Sequence, residues 1–162
     1  MLKILPFKNG DEISLKKSFG KEDSALHRKR AKPKENIYCI AWLDSNAVGH
    51  LLLRLAGAKE PFLKGKIKNC PHIEGVAVTE QFQGQGIGTR LIQKAEGIAK
   101  QKGFVYLGLA VNIENERAIK LYQKLGYQHS KFGTFKSSYS FKDPQGKRIR
   151  CYEKCVYLVK KL

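Results

Sequence analysis

One stretch limits what this chain can fold into: Ile73 to Gly88, reading IEGVAVTEQFQGQGIG. The apolar run Val76-Ala77-Val78 leads to three glycines at alternate positions, Gly84, Gly86 and Gly88. An amphipathic run follows at once, with Ile87, Leu91, Ile92, Ala95, Ile98 and Ala99 on one face. The pattern predicts strand, glycine turn and helix in that order. Glycines let a backbone approach a ligand closely. The first turn of a helix has N–H groups without partners, and its dipole favours negative charge. The stretch is therefore expected to cradle a phosphate-bearing cofactor.

The rest of the chain must supply a core around that unit. At 162 residues a single domain spanning 1–162 is expected. A composition of 42% hydrophobic and 10% aromatic residues excludes a disordered chain. No apolar run is long enough to span a bilayer. The start, MLKILPFKNG, is too short in its apolar part for a signal peptide, so the cytoplasm is the expected compartment. Cys39, Cys70, Cys151 and Cys155 are too few for a disulfide scaffold. Cys70 and His72 lack a second ligand pair at finger-like spacing, so no metal site is expected.

The net charge of +17 is unevenly spread: +6 over residues 1–34, +4 over 35–130 and +7 over 131–162. Such a field attracts anions, whether a polyphosphate cofactor, an acidic substrate or nucleic acid. No block of Lys and Arg is interleaved with aromatics along the sequence, which argues against a dedicated single-strand binder. A solvated basic surface is the plainer account.

Along the chain, residues 1–7 read as a strand, and 13–31 as two short helices broken at Gly20. The basic string at 27–34, ended by Pro33, reads as an exposed connector. Ile37–Leu43 and Ala47–Leu55 flank Asp44-Ser45-Asn46 as a hairpin. A lysine-rich loop covers 58–71, with His72 at its end. A strand over 73–78 precedes the glycine turn, and a helix from about Ile87 to Lys102 stops at Gly103. Phe104–Val111 reads as a buried strand. Asn115 caps a helix to Leu125. Tyr127–Phe135 and Lys147–Leu158 read as two last strands around a turn at Asp143–Gly146. Residues 73–111 should form a right-handed parallel crossover. The fold class is mixed α/β, or α+β, with an antiparallel first half. The last strand, Cys151 to Leu158, is a candidate free edge, which leaves a homodimer open.

Three motifs in order resemble those of the GNAT superfamily of N-acetyltransferases. The first is Gln83-Gly84-Gln85-Gly86-Ile87-Gly88, or in a second register Gln81 to Gly86, similar to the family's Gln/Arg-x-x-Gly-x-Gly/Ala signature. The second is Asn115-Glu116-Arg117-Ala118. The third is Leu121-Tyr122-Gln123-Lys124-Leu125-Gly126-Tyr127. Many members have Arg where this chain has Gln83, which loses a charge beside the pyrophosphate. A dinucleotide fold is less consistent, because the strand after the helix lacks an acidic residue at its end.

The resemblance implies a centrally splayed sheet of about seven strands flanked by helices, and acetyl transfer from acetyl-CoA to a primary amine in a ternary complex. It also implies the site. Backbone N–H groups of Gln83, Gly84, Gln85, Gly86, Ile87, Gly88 and Thr89 would hold pyrophosphate. Val76, Ala77 and Val78 would pair with pantetheine, the Val78 N–H facing the thioester carbonyl. Asn115 would touch the cofactor or simply cap its helix. Tyr122 would protonate the departing thiolate, and Glu74 would take the amine proton, often through water. Without those roles, Tyr122 is a core tyrosine and Glu74 a partly exposed carboxylate paired with one of the many lysines. The acceptor, a small-molecule or protein amine, is expected between residues 13–31, the 58–71 loop and the last two strands. The rival function is a basic RNA-, ribosome- or protein-binding module on the same fold with little transferase activity.

Overall fold

The computed structural model describes residues 1–20, 24–31, 35–143 and 145–162. Among these, the strands are β1 (Leu2–Pro6), β2 (Asn36–Leu43), β3 (Asn46–Arg54), β4 (His72–Val78), β5 (Tyr106–Asn112), β6 (Gln128–Lys142) and β7 (Arg148–Lys161). They form a seven-stranded sheet in the order β1-β2-β3-β4-β5-β7-β6. The helices are α1 (Asp11–Phe19), α2 (Ser24–Ala31), α3 (Ile87–Gln101) and α4 (Glu116–Lys124). Element order follows the expected one.

Alternation along the strands divides the core in two. On one face Leu51, Leu53, Ile73, Leu107 and Leu109 meet Ile87, Leu91, Ile92, Ala95 and Ala99 of α3. Gly49 lets α3 come close there: a Cβ on it would lie 3.0 Å from Leu91 Cδ1 and 3.3 Å from Ile87 Cγ2. The other face carries Tyr38, Ile40 and Leu52 under Leu15 of α1. Farther along that face the 58–67 loop sets Leu63 against Phe135, Cys155 and Tyr157. Phe62 stacks on Phe135 with centroids 5.3 Å apart. The three segments expected around the acceptor thus share one face of the sheet.

The sheet opens at its middle. β4 pairs with β5 in parallel only at His72↔Gly108 and Ile73↔Leu109. Beyond Ile73 the two strands part, while β4 stays paired with β3 as far as Val78. Gly75, at φ +62°, makes a bulge opposite β3, where the register shifts between His50 and Leu52. An L side chain rarely adopts that φ, so the lone glycine inside a strand marks the bulge.

Several expectations are corrected. His27 to Ala31 belongs to α2, with His27 buried, because its imidazole meets the Tyr38 hydroxyl at 2.8 Å. Residues 32–34 of that expected connector lie outside the described residues, as does Pro144 of the last turn. His72 is the first residue of β4 rather than part of the loop. β6 runs seven residues past Phe135, and β7 runs to Lys161. Cys151–Leu158 is no free edge over its whole length: Cys155 to Leu158 is enclosed between β5 and β6, and only the stretch up to Lys154 has β6 alone.

Candidate active site

The glycine turn is held open by its own backbone. A 3-10 turn at Glu80–Phe82 leaves β4, and Gly84 and Gly86 both take φ +78°. Gly86 is the residue before α3. The first bond of the helix runs from the Arg90 N–H to Gly86 O at 3.0 Å. The N–H groups of Ile87, Gly88 and Thr89 precede it and have no helical acceptor. They point at the dipole-positive end, where an anion is favoured.

Two glutamines brace this turn from within. Gln83 Nε2 donates to Val78 O at 3.0 Å, and Gln85 Nε2 donates to Gln81 O at 3.2 Å. The side-chain donor of Gln83 therefore ties the loop to the end of β4. What Gln83 and Gln85 offer an anion is their backbone.

The strand half of the stretch has unpaired edges. Thr79 N–H donates to Val48 O at 3.0 Å. Amide directions alternate along a strand, so the Val78 N–H points away from β3, into the gap left by β5. Ala77 lies opposite His50 and turns its side chain to the α1 and α2 face. Val76 and Val78 face the other way.

A cleft of about 560 Å³ joins these parts. Val76, Val78, Gln83, Gly84 and Gly86 line one side of it, with Ile87, Gly88 and Thr89. Asn115, Ala118, Leu121 and Tyr122 of the α4 region line the other. Asn115 also caps α4, its Oδ1 accepting from the Ala118 N–H at 3.1 Å. Tyr122 is 9% exposed, and burial raises its pKa above the ordinary phenol value, so it carries its proton at neutral pH. Four lining residues lacked a site role in the sequence, Phe82, Arg117, Ala118 and Leu121. Arg117 lies in the second motif, two residues after the cap, and that position was the available signal.

Glu74 does not line this cleft. It stands opposite Leu52, on the α1 and α2 face, because the Gly75 bulge reverses the alternation between it and Val76. Its carboxylate lies 3.8 Å from Arg54 Nε, with Arg54 11% and Glu74 43% exposed. Glu74 thus faces the side where α1, α2 and the 58–67 loop lie, and Tyr122 the opposite one.

The buried histidines and thiols nearby form neutral wall. Burial, with Arg30 and His27 adding to it, lowers the His50 pKa to about 3. Burial, then Arg54, lowers that of His72 to about 4. His72 Nδ1 is 3.3 Å from the Tyr157 hydroxyl. Burial pushes the Cys39 and Cys70 thiols up to about 11 and Cys155 up to about 12, which leaves them protonated and unreactive.

A family model described as the acetyltransferase (GNAT) family matches residues 7–127. The chain belongs to this family. Among curated relatives of this GNAT chain, the thialysine N-epsilon-acetyltransferase of Mus musculus is 42% identical over 57 residues, 35% of this chain and 34% of that protein. An N-alpha-acetyltransferase of Sulfurisphaera tokodaii is 31% identical over 110 residues, 62% of this chain and 61% of that protein. The matched segment thus spans about a third to three-fifths of these relatives. The ribosomal-protein-S18-alanine N-acetyltransferase from Escherichia coli shares the fold at TM-score 0.71 and 14% identity, over 99% of this chain and 94% of that one. A GNAT acetyltransferase from Elizabethkingia anophelis with acetyl-CoA bound does so at 0.65 and 18%, over 99% and 98%.

Proposed function

We propose that this chain transfers acetyl from acetyl-CoA to a primary amine by direct attack in a ternary complex. The observation that carries the reading is the single cleft in which the free N–H groups opening α3, the open edge of β4 and the buried, protonated Tyr122 converge. Acetyl-CoA supplies the activated acetyl group and a thiolate leaving group. Ile87, Gly88 and Thr89 hold its pyrophosphate through their N–H groups. The edge of β4 from Val76 to Val78 pairs with the pantetheine amides, and the Val78 N–H polarises the carbonyl. Tyr122 donates its proton to the leaving sulfur.

The amine enters from the opposite face, through the gap where β4 and β5 part. Glu74 on that face accepts the amine proton, directly or through a water, with Arg54 fixing its orientation. Two relatives act, by their names, on an ε-amine and an α-amine. A lysine-like side chain and a peptide N-terminus are therefore the acceptor classes to try first. The four thiols are free, and no helix among the described residues is long and apolar enough to cross a membrane. With the free thiols this supports a cytoplasmic enzyme. The test is release of free thiol from acetyl-CoA over a panel of primary amines. Turnover with one amine class, reduced in Tyr122→Phe, is expected; no turnover across lysine-like amines and peptide N-termini contradicts the reading.

A further inference from the structure

The outer half of the β6–β7 arm has two unlike faces. Arg148 to Lys154 pairs with β6 alone, past the last pairing of β5 at Asn112↔Cys155. Cross-strand partners there include Lys136↔Lys154, Ser138↔Tyr152 and Ser140↔Arg150. Opposed residues share a face, and faces alternate along each strand. One face therefore presents Lys136, Arg148, Arg150 and Lys154 around Tyr152, all exposed. The reverse face carries Tyr139, Phe141, Ile149 and Cys151, and leads down to buried Phe135 and Cys155.

The basic face is uncompensated. Among the described residues none of its four cations is within ion-pair distance of a carboxylate. Glu153 points to the reverse face and accepts from Asn112 Nδ2 at 3.0 Å. Asp143 is engaged by the N–H groups of its own turn, from Gln145 at 3.0 Å and Lys147 at 2.8 Å. Lys136 and Lys154 stand directly opposite one another, a like-charge pairing that costs stability. A bound polyanion relieves that repulsion. Cations two residues apart on a strand lie about 7 Å apart, which sets them in a row. Within the row Tyr152 is 57% exposed, with Lys136 Nζ 4.1 Å from its ring centroid.

We propose that this face binds single-stranded nucleic acid, with phosphates on Lys136, Arg148, Arg150 and Lys154 and a base stacked on Tyr152. Cations in a row beside an exposed ring are the combination that single strands require. An acidic peptide has no need of the ring. An anionic lipid headgroup offers charge to the row but no flat ring to stack on Tyr152. The surface is separate from the cofactor cleft, which no residue of the arm lines. This corrects the expectation that no cationic block is interleaved with aromatics: Arg148, Arg150, Tyr152 and Lys154 alternate along β7 itself, and β6 adds Lys136 across the ladder.

The test is fluorescence anisotropy with fluorescein-labelled oligo(U) and oligo(dT) between about 50 and 200 mM salt. Four phosphate contacts predict a slope of log K against log salt near −3. Arg148→Gln/Arg150→Gln/Lys154→Gln should reduce that slope by about 2. Tyr152→Ala should weaken binding roughly 5- to 150-fold with the slope retained. The triple variant Lys3→Gln/Lys16→Gln/Lys100→Gln removes the same charge from exposed sites elsewhere and should change little. An acetyl-CoA-induced rise in melting temperature in every variant establishes that each is folded. The proposal is overturned if the remote variant weakens binding as much as the arm variant, or if Tyr152→Ala has no effect. It is overturned equally if saturating acetyl-CoA displaces the oligonucleotide. Equally tight, arm-dependent binding of polyglutamate or phosphatidylserine vesicles also overturns it.

Discussion

Tyr122 stands where packing and chemistry compete for one residue. Its motif ends a helix whose apolar face carries it inward, so a core role and a catalytic role share one position. In the structure Tyr122 belongs to the buried core and also lines the cleft at the opening of α3, so mutation has to separate the two roles. Tyr122→Phe keeps the packing and removes the proton. We expect kcat to fall about 10²- to 10⁴-fold with acetyl-CoA affinity unchanged; a kcat within twofold of the parent removes Tyr122 as the acid. Glu74→Gln should slow kcat/KM most at low pH. The deficit should narrow as pH approaches the pKa of about 10.4 of a lysine-like amine, which then needs no base. A pH-independent deficit assigns Glu74 to structure alone. Which face Glu74 takes was not legible in the sequence. Period-two alternation puts it with Val76, and only the positive φ of Gly75 reverses that. Where the Gln83 side chain goes was not legible either: its Nε2 donates to the Val78 carbonyl, which leaves its backbone N–H as the group expected to meet pyrophosphate.

At the level of elements, periodicity served well where burial is one-sided. The α3 stripe, the β2–β3 hairpin and the crossover into β5 were all legible. The length of the β6–β7 arm was not, because its outer half is exposed and no core face fixes its pattern. The glycine turn offers a test that separates backbone from contact. A Cβ at Gly86 meets nothing within 4 Å, but its φ is +78°. Gly86→Ala should therefore cost about 1–2 kcal/mol through the backbone alone, and misplace the α3 N–H groups enough to raise the KM for acetyl-CoA. Gly88 lies inside α3 without a positive φ, and its Cβ would rest 3.9 Å from Val78 Cγ2, an ordinary contact. Gly88→Ala should leave the melting temperature unchanged or slightly higher. Equal losses in both variants mean that the turn is not what organises the helix start.

Across the whole molecule, acidification and ligand binding probe the same folded state from opposite directions. His50 and His72 are buried neutral, with pKa values lowered to about 3 and about 4 from 6.5. Unfolded histidines take up protons below about pH 6.5 and these two do not. Their contribution is therefore complete above that pH, and is lost as pH falls toward 4 and then 3. For His72 the amount is on the order of 3 kcal/mol. The urea midpoint should fall between pH 7 and pH 4, and less steeply in His72→Gln; identical slopes exclude His72 as a source. Cofactor binding acts in the other sense. A ligand that binds only the folded state at 100 times its Kd adds about 2.7 kcal/mol. For a chain of this size each kcal/mol moves the melting temperature by about 2–4 °C. Acetyl-CoA should thus raise it by roughly 5–11 °C. If the α3 N–H groups hold the pyrophosphate as proposed, free CoA should retain most of that rise. A melting temperature indifferent to millimolar acetyl-CoA would leave the cleft without its ligand and the proposed transfer without a substrate.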